Sequence, residues 1–269
     1  MPSVLVPLAN GSEELEAVSL VNVLRRCGVD VTLASVEGDT LGGAPIVKGS
    51  RGTRVVCDGT LAEADRVSWD AIALAGGLPG TRGALLPAGN PPCLVLRARS
   101  GAAPFLLLLC TRLHCWPVPD GQGICFSPLY LWMVWLRPPV PSPALFGCPI
   151  CCSLMCAGAQ TLSDTPELIS RLKEQSAAGK WIGAICASPP VVLAAHGLLP
   201  PTATWYPSVG DTLGDTKRGT TRVVIDEGAR VVTSQGPATA IEFGLAVAGA
   251  VGVDPKVVSS VREQLLVDL

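Results

Sequence analysis

Trp181-Ile182-Gly183-Ala184-Ile185-Cys186-Ala187-Ser188-Pro189-Pro190 is the stretch whose reading decides the fold. Trp181 to Ile185 is an unbroken apolar run with the length and composition of a buried central strand. The run stops at a cysteine, and Ser188-Pro189-Pro190 opens an alanine- and valine-rich helix that His196-Gly197 closes. Proline in a helix's first turn removes no hydrogen bond, because those N–H groups have no intrahelical partner. Cys186 therefore falls on a strand-to-helix turn beside the positive end of a helix dipole. That setting lowers a thiol pKa from about 8.5 towards roughly 3.5–7.5 and yields a thiolate nucleophile. It is the cysteine counterpart of the sharp turn that presents the serine of G-x-S-x-G hydrolases. Cys186 also reads as a small hydrophobe at a strand end. The stretch by itself leaves both readings open.

The N-terminal part shows how the other strands are arranged. Ser3 to Ala9 reads as a first strand, followed by an Asn10-Gly11 turn, with Ser12 as the expected helix N-cap. Glu13, Glu14 and Glu16 fill the first turn, and Ala17, Leu20, Val21 and Leu24 recur at helical spacing. Arg25-Arg26-Cys27-Gly28 ends that helix, with cations and a glycine where the dipole and C-cap favour them. Val29 to Val36 follows as a second strand. Strand, helix and strand within about 35 residues form a βαβ unit, and hence a parallel sheet with helices on its faces. Glu37 to Asp58 reads as a hairpin-like excursion around Gly49-Ser50-Arg51-Gly52, and Leu61 to Asp65 as a short helix. Asp70 to Ala75 is another buried strand, ending in Gly76-Gly77, where backbone N–H groups can approach a ligand closely.

The composition breaks at Thr81. From there to Gly158 there is no lysine, no glutamate and one acidic residue, Asp120. Eight of the eleven cysteines fall there, leaving only Cys27, Cys57 and Cys186 elsewhere. The apolar runs 105–110 and 129–136 show neither strand nor helix period. Both are shorter than the roughly 20 residues a bilayer span needs. Cys148-Pro149-Ile150-Cys151 resembles half a zinc site, but the second C-x-x-C or H-x-x-H is missing, so no metal is expected. A residue set rich in Pro, Leu, Ser, Cys and Phe is what pyrimidine-rich codons give. Residues 81–158 therefore read as an irregular insertion, a translated intron, interrupting one domain made of 1–80 and 159–269.

The α/β pattern resumes at Ala159. Ser163 or Asp164 is the expected cap of a helix with Pro166 in its first turn. After the cysteine strand, Thr202 to Trp205 reads as a strand, and 223–226 with 230–234 as a hairpin around Glu227-Gly228. Gly236-Pro237 and Asp254-Pro255 open two last helices. A net charge of −2 favours neither nucleic acid nor an anionic membrane as partner. No secretory n-region and h-region precede the first strand, and thiols are sparse outside 81–158. Together these lead to the expectation of a cytoplasmic protein.

Three segments, in order, resemble one family: Glu13-Glu14-Leu15-Glu16, Ala75-Gly76-Gly77-Leu78-Pro79-Gly80 and Ala184-Ile185-Cys186-Ala187-Ser188-Pro189. They look like the Parkinson-disease protein deglycase (glyoxalase III-like) family of the DJ-one/PfpI superfamily. Ser234-Gln235-Gly236-Pro237 with Ala240-Ile241-Glu242-Phe243 is similar to that family's late strand–turn–helix. The resemblance covers 1–80 and 159–269. It implies an α/β, flavodoxin-like doubly wound sandwich with a mostly parallel central sheet, a homodimer, and no cofactor. Cys186 matches the family's nucleophile, and Glu16 matches the carboxyl that bonds its sulfur. By its position alone Glu16 is a solvated dipole partner; only the motif sets it apart from Glu13 and Glu14. Burial beside the thiol would raise its pKa and let it shuttle protons. The N–H groups of Gly77 and Ala187 match an oxyanion hole. Arg51 matches a pocket arginine, or is a solvated loop cation, and Gly76 lies in the same pocket. Tyr206 stands where many members place a histidine. Of the two histidines, His114 lies in the anomalous segment and His196 reads as a structural cation in a helix's last turn. Alanine follows Cys186 where the superfamily's proteases carry an activating histidine, which argues against a peptidase.

Two functions follow from the resemblance. One is a glutathione-independent glyoxalase or protein deglycase acting on methylglyoxal, glyoxal or their adducts, with a small dicarbonyl as substrate. The other is a non-enzymatic redox-sensing cysteine protein with chaperone activity in the oxidative stress response.

Overall fold

Trp181–Ile185 is a strand buried along its whole length and flanked on both sides by parallel neighbours. The computed structural model describes residues 1–66, 68–77, 93–100, 103–110, 131–134, 158–209 and 211–267. The chain divides into two compact units, Met1–Gly80 with Gly147–Leu269, and Thr81–Phe146.

In chain order the larger unit begins with β1 (Ser3–Leu8), α1 (Glu14–Arg26), β2 (Asp30–Ser35), β3 (Thr40–Leu41), β4 (Ala44–Lys48), β5 (Arg54–Val56), β6 (Gly59–Thr60) and β7 (Ala71–Leu74). The smaller unit holds β8 (Cys93–Ser100), β9 (Ala103–Cys110) and β10 (Leu131–Val134). The larger unit resumes with α2 (Gly158–Ser163), α3 (Pro166–Ala177), β11 (Trp181–Ile185), β12 (Thr212–Leu213), β13 (Thr216–Lys217), β14 (Val223–Asp226), β15 (Val231–Ser234), α4 (Ala240–Ala250) and α5 (Pro255–Gln264).

Seven strands form the main sheet in the order β14-β15-β11-β7-β1-β2-β6. Every neighbouring pair is parallel except β14 on β15, the hairpin expected around Glu227-Gly228. The two-residue period of a strand sends alternate side chains to opposite faces. Val4, Val6 and Leu8 of β1 join Leu20 and Leu24 of α1 and Phe243 and Val247 of α4 in one core. Leu5 of β1, Ile72 and Leu74 of β7 and Ile182 of β11 join Leu162, Leu168 and Leu172 of α2 and α3 in the other. Helices on both faces of a mostly parallel sheet make this the α/β, flavodoxin-like doubly wound fold. Gly183 makes room for α4, because a Cβ there would stand 3.0 Å from Phe243 Cζ.

Several local expectations need correction. The Ser12 hydroxyl does not cap α1; it accepts the Ala9 N–H (3.2 Å) inside the tight turn that follows β1. Glu13 takes the cap position without a side-chain bond. Thr165, not Ser163 or Asp164, precedes α3, and its hydroxyl donates to the Thr161 carbonyl instead. Thr202 to Trp205 is no strand beyond one bridge, Ala203 to Arg218. There Thr204 bonds the Thr233 hydroxyl and the Gly219 carbonyl, so side chains replace a ladder. The helix after Cys186 is a six-residue π-helix, Pro189–Ala194.

In the smaller unit β8, β9 and β10 form an antiparallel sheet, with Ser100 paired to Ala103 at the first hairpin. Irregular structure was the expectation there. Flat apolar runs such as 105–110 lack the alternation that announces a strand, yet they pair as strands here. The C-x-x-C at 148–151 and His114 lie outside the described residues. Among the described residues no helix is long and apolar enough to cross a membrane.

Candidate active site

The loops leaving β1, β7 and β11, three adjacent parallel strands, meet at the carboxyl edge of the sheet, where open α/β sheets bind ligands. From β11 comes Cys186, only 5% exposed and with φ at 65°. A side chain in that left-handed region costs roughly 1–2 kcal/mol relative to the right-handed one. Two backbone bonds hold the residue there. Its N–H donates to the Ser234 carbonyl (2.9 Å), and its own carbonyl accepts the Tyr206 N–H (2.9 Å). The sharp turn read from the sequence is therefore present, with its strain on the cysteine.

From β7 come Gly76 and Gly77. The Gly76 N–H donates to Glu16 Oε2 (2.8 Å), and its carbonyl accepts the Glu13 N–H (3.0 Å). A Cβ on Gly76 would lie 2.7 Å from Cys186 Cβ, 2.9 Å from Glu16 Oε2 and 3.0 Å from the Ala187 nitrogen. Only glycine lets those three groups converge. Gly77 has φ at 135°, and a Cβ there would meet the Gly11 carbonyl oxygen at 2.3 Å. The Gly77 carbonyl in turn accepts the Ala159 N–H (3.3 Å), so the end of β7 lies beside the start of α2. Leu78 to Gly80 lie outside the described residues.

From α1 comes Glu16, fully buried in the first turn. Its Oε1 has no hydrogen-bond partner among the described residues. Burial pushes its pKa up to about 7; the Gly76 N–H and the neighbouring Cys186 thiol oppose this, and the Glu13 charge adds to it. Burial also pushes the Cys186 thiol up, and the charge and hydrogen bonding of Glu16 push it further. Only the Ala187 backbone N–H acts the other way. The lowered thiol pKa expected from a helix dipole is thus corrected: the helix is one short π-turn, and burial beside a carboxylate outweighs it. Burial thus favours the protonated form of both groups and sets the carboxyl within reach of the thiol proton.

The structure brings Cys186, Glu16, Gly76 and Ala187 together and sets Arg51 and Tyr206 at the margin. Arg51 is exposed on the turn between β4 and β5, its backbone N–H donating to Glu14 Oε1 (3.0 Å). The Ser50 hydroxyl lies 2.8 Å from Glu13 Oε2 and docks this turn on the start of α1. Tyr206 is 36% exposed. Its ring lies over Gly236, where a Cβ would stand 3.1 Å from Cδ2, and its link to Cys186 is through the backbone. His196 Nε2 sits 3.0 Å from the Ser163 hydroxyl and 3.1 Å from the Ser163 carbonyl, tying the turn after the π-helix to α2. Sequence reasoning missed Ser188, whose buried hydroxyl donates to the Ala75 carbonyl at 2.7 Å. Its place before Pro189-Pro190 marked only a helix start. Among the described residues no three His, Cys, Asp or Glu side chains gather as metal ligands.

The DJ-1/PfpI family model matches residues 2–85 and 156–250, with an internal gap at 86–155. Protein DJ-1 homolog B of Arabidopsis thaliana is 28% identical over 91% of this chain and 37% of its own length, so the chain spans well under half of that relative. Glutathione-independent glyoxalase DJR-1.2 of Caenorhabditis elegans is 43% identical over 33% of this chain and 47% of its own length. The solved structure of oxidized Toxoplasma gondii DJ-1 superposes with a TM-score of 0.64 at 29% identity, each chain covered in full. The motifs around Glu16, Gly76 and Cys186 thus sit on a matching fold and within the matched residues: the chain belongs to the DJ-1/PfpI family.

Proposed function

We propose that the protein is a glutathione-independent glyoxalase that uses Cys186 as nucleophile and Glu16 as its proton carrier. The observation that carries this reading is the convergence of a strained cysteine and a fully buried carboxyl, with pKa near 7, on Gly76. In the reaction, Glu16 takes the thiol proton as Cys186 Sγ bonds the aldehyde carbon of methylglyoxal, and the oxygen gains a proton to give a hemithioacetal. The N–H groups of Gly77 and Ala187 stabilise the developing oxyanion. Glu16 then carries a proton from that carbon to the neighbouring carbonyl carbon through an enediol, leaving a thioester of lactate. Water cleaves the thioester, releasing lactate and restoring the thiol. The sum is methylglyoxal plus water to lactate, with no external oxidant; glyoxal gives glycolate. A carboxyl with pKa close to working pH is suited to both proton transfers. The same chemistry on amino adducts is deglycation. The named activity of the Caenorhabditis elegans relative supports this reading.

Arg51 and Tyr206 border the substrate pocket in this reading. Leu15 and Val18 of α1 and Val56 of β5 are exposed apolar side chains, and their exposure supports a homodimer in this reading. Residues 81–158 are an insertion in the domain built by 1–80 and 159–269, in keeping with the gap in the family match.

The test is lactate production from methylglyoxal without glutathione, which Cys186→Ala should abolish. Stress-protective activity that persists in a protein unable to make lactate would favour the redox-sensing reading instead.

A further inference from the structure

We propose that Ser188 is a positioning residue for the site: its hydroxyl fixes and polarises the Ala75–Gly76 peptide, whose other end holds the Glu16 carboxylate. A peptide unit is planar, with its C=O and N–H pointing in opposite directions. Here the Ser188 hydroxyl donates to the C=O end at 2.7 Å, and the N–H end donates to Glu16 Oε2 at 2.8 Å. Hydroxyl, peptide and carboxylate form one chain of hydrogen bonds, and in such a chain each bond strengthens the next. Ser188 and Glu16 are both fully buried, so little water competes for either end.

The geometry has a second consequence. Ser188 lies two residues beyond Cys186, so the bond that polarises the peptide also ties the nucleophile's turn to the strand end facing the base. Rotation of the Ala75–Gly76 peptide would break the Ser188 and Glu16 bonds together. Without the hydroxyl, Gly76 is a weaker and freer donor, the carboxylate is less stabilised, and Glu16 ionises at higher pH. The titratable groups facing Glu16 are Cys186 on the β11 loop and Glu13 on its own helix. Neither side chain is itself removed by a change at Ser188.

This inference rests on the proposed role of Glu16 as proton carrier, but its test needs no turnover. The Glu16 side-chain carboxyl carbon and the Gly76 amide proton are followed by NMR against pH in the full chain carrying Cys186→Ser. Both signals should titrate with one midpoint, and the Ala75 carbonyl carbon should follow them. Ser188→Ala should raise that midpoint by about half a unit, roughly threefold in proton affinity, while Ser188→Thr stays close to the parent. An unmoved midpoint in Ser188→Ala overturns the proposal. So does an Ala75 carbonyl that ignores the Glu16 titration with Ser188 in place, a measurement that stands even if Ser188→Ala fails to fold. If the chain with Cys186 intact makes no lactate while the titration behaves as described, the glyoxalase reading alone fails.

Discussion

The Glu16 carboxylate and the Gly76 backbone N–H meet at 2.8 Å, both buried, from positions 60 residues apart in sequence. One bond thus links the start of α1 to the end of β7, and it opposes the rise in pKa that burial imposes on Glu16. The folded chain holds the Glu16 proton to about pH 7, whereas an ordinary carboxyl releases it near 4.5. The raised value favours the folded state most below about pH 4.5, and that advantage is lost as pH rises through 7. The difference is on the order of 3 kcal/mol. Glu16→Gln should flatten the pH dependence of the unfolding midpoint across this window. In the parent, kcat/KM should fall on the acid side of about pH 7 as the base is protonated. A parent stability curve with no slope between 4.5 and 7 would refute the shifted carboxyl.

Gly76→Ala should be the most damaging single-methyl change in the site. Its Cβ would press on Cys186 Cβ, Glu16 Oε2 and the Ala187 nitrogen, two of them at or inside 2.9 Å. Overpacking of this kind costs about 1–3 kcal/mol, and activity should be lost with it. Gly28→Ala is the control. It also sits at positive φ but meets nothing within 4 Å, so only backbone strain of roughly 1 kcal/mol is expected. Thermal melts of the two proteins, with lactate assays, separate crowding at the site from simple glycine replacement.

Cys186→Gly and Cys186→Ala should both be inactive, but they should differ in stability. Glycine occupies φ near 65° freely, while alanine retains the strain that cysteine carries. Cys186→Gly should therefore be the more stable by about 1 kcal/mol in urea titrations. Equal stability would mean that the turn is not strained at this residue.

Gly77, three residues before Gly80, bonds Ala159 directly through the backbone. A chain joining Gly80 directly to Ala159 should fold, be more soluble and be at least as active. It removes eight cysteines and the apolar runs without stretching the backbone across the sheet. Sequencing of transcripts tests the origin of the segment. A dominant message that keeps these codons, or a truncated chain that cannot fold, would defeat the intron reading.

Most of the main sheet was legible because its buried strands are short apolar runs, two of which, β7 and β11, stop just before glycine or cysteine. The β11–Cys186 turn and the β14–β15 hairpin were read from such signals. What escaped the sequence were features set by polar geometry. Thr204 satisfies its backbone through side chains rather than a ladder, and Ser12 turns its hydroxyl back to Ala9. The direction of the Cys186 thiol shift was misread for a related reason. Position beside a helix start is visible in sequence, but burial against Glu16 is visible only in three dimensions. Within the site, Cys186, Glu16 and Gly76 were found from motifs, whereas the Ser188 bond to Ala75 has no sequence signature.

The pairing of β7 with β11 closes the long loop that carries the 81–158 segment. Ala71 and Trp181 lie opposite one another, yet they stand about 110 positions apart along the chain. Closing that loop rather than one shortened by the 81–158 segment costs about 1 kcal/mol more in chain entropy. If this closure belongs to the folding nucleus, the full-length chain reaches its native sheet roughly sixfold more slowly than the shortened one. During that delay the β7 and β11 edges stay unpaired, and stopped-flow refolding of the two chains would measure how long.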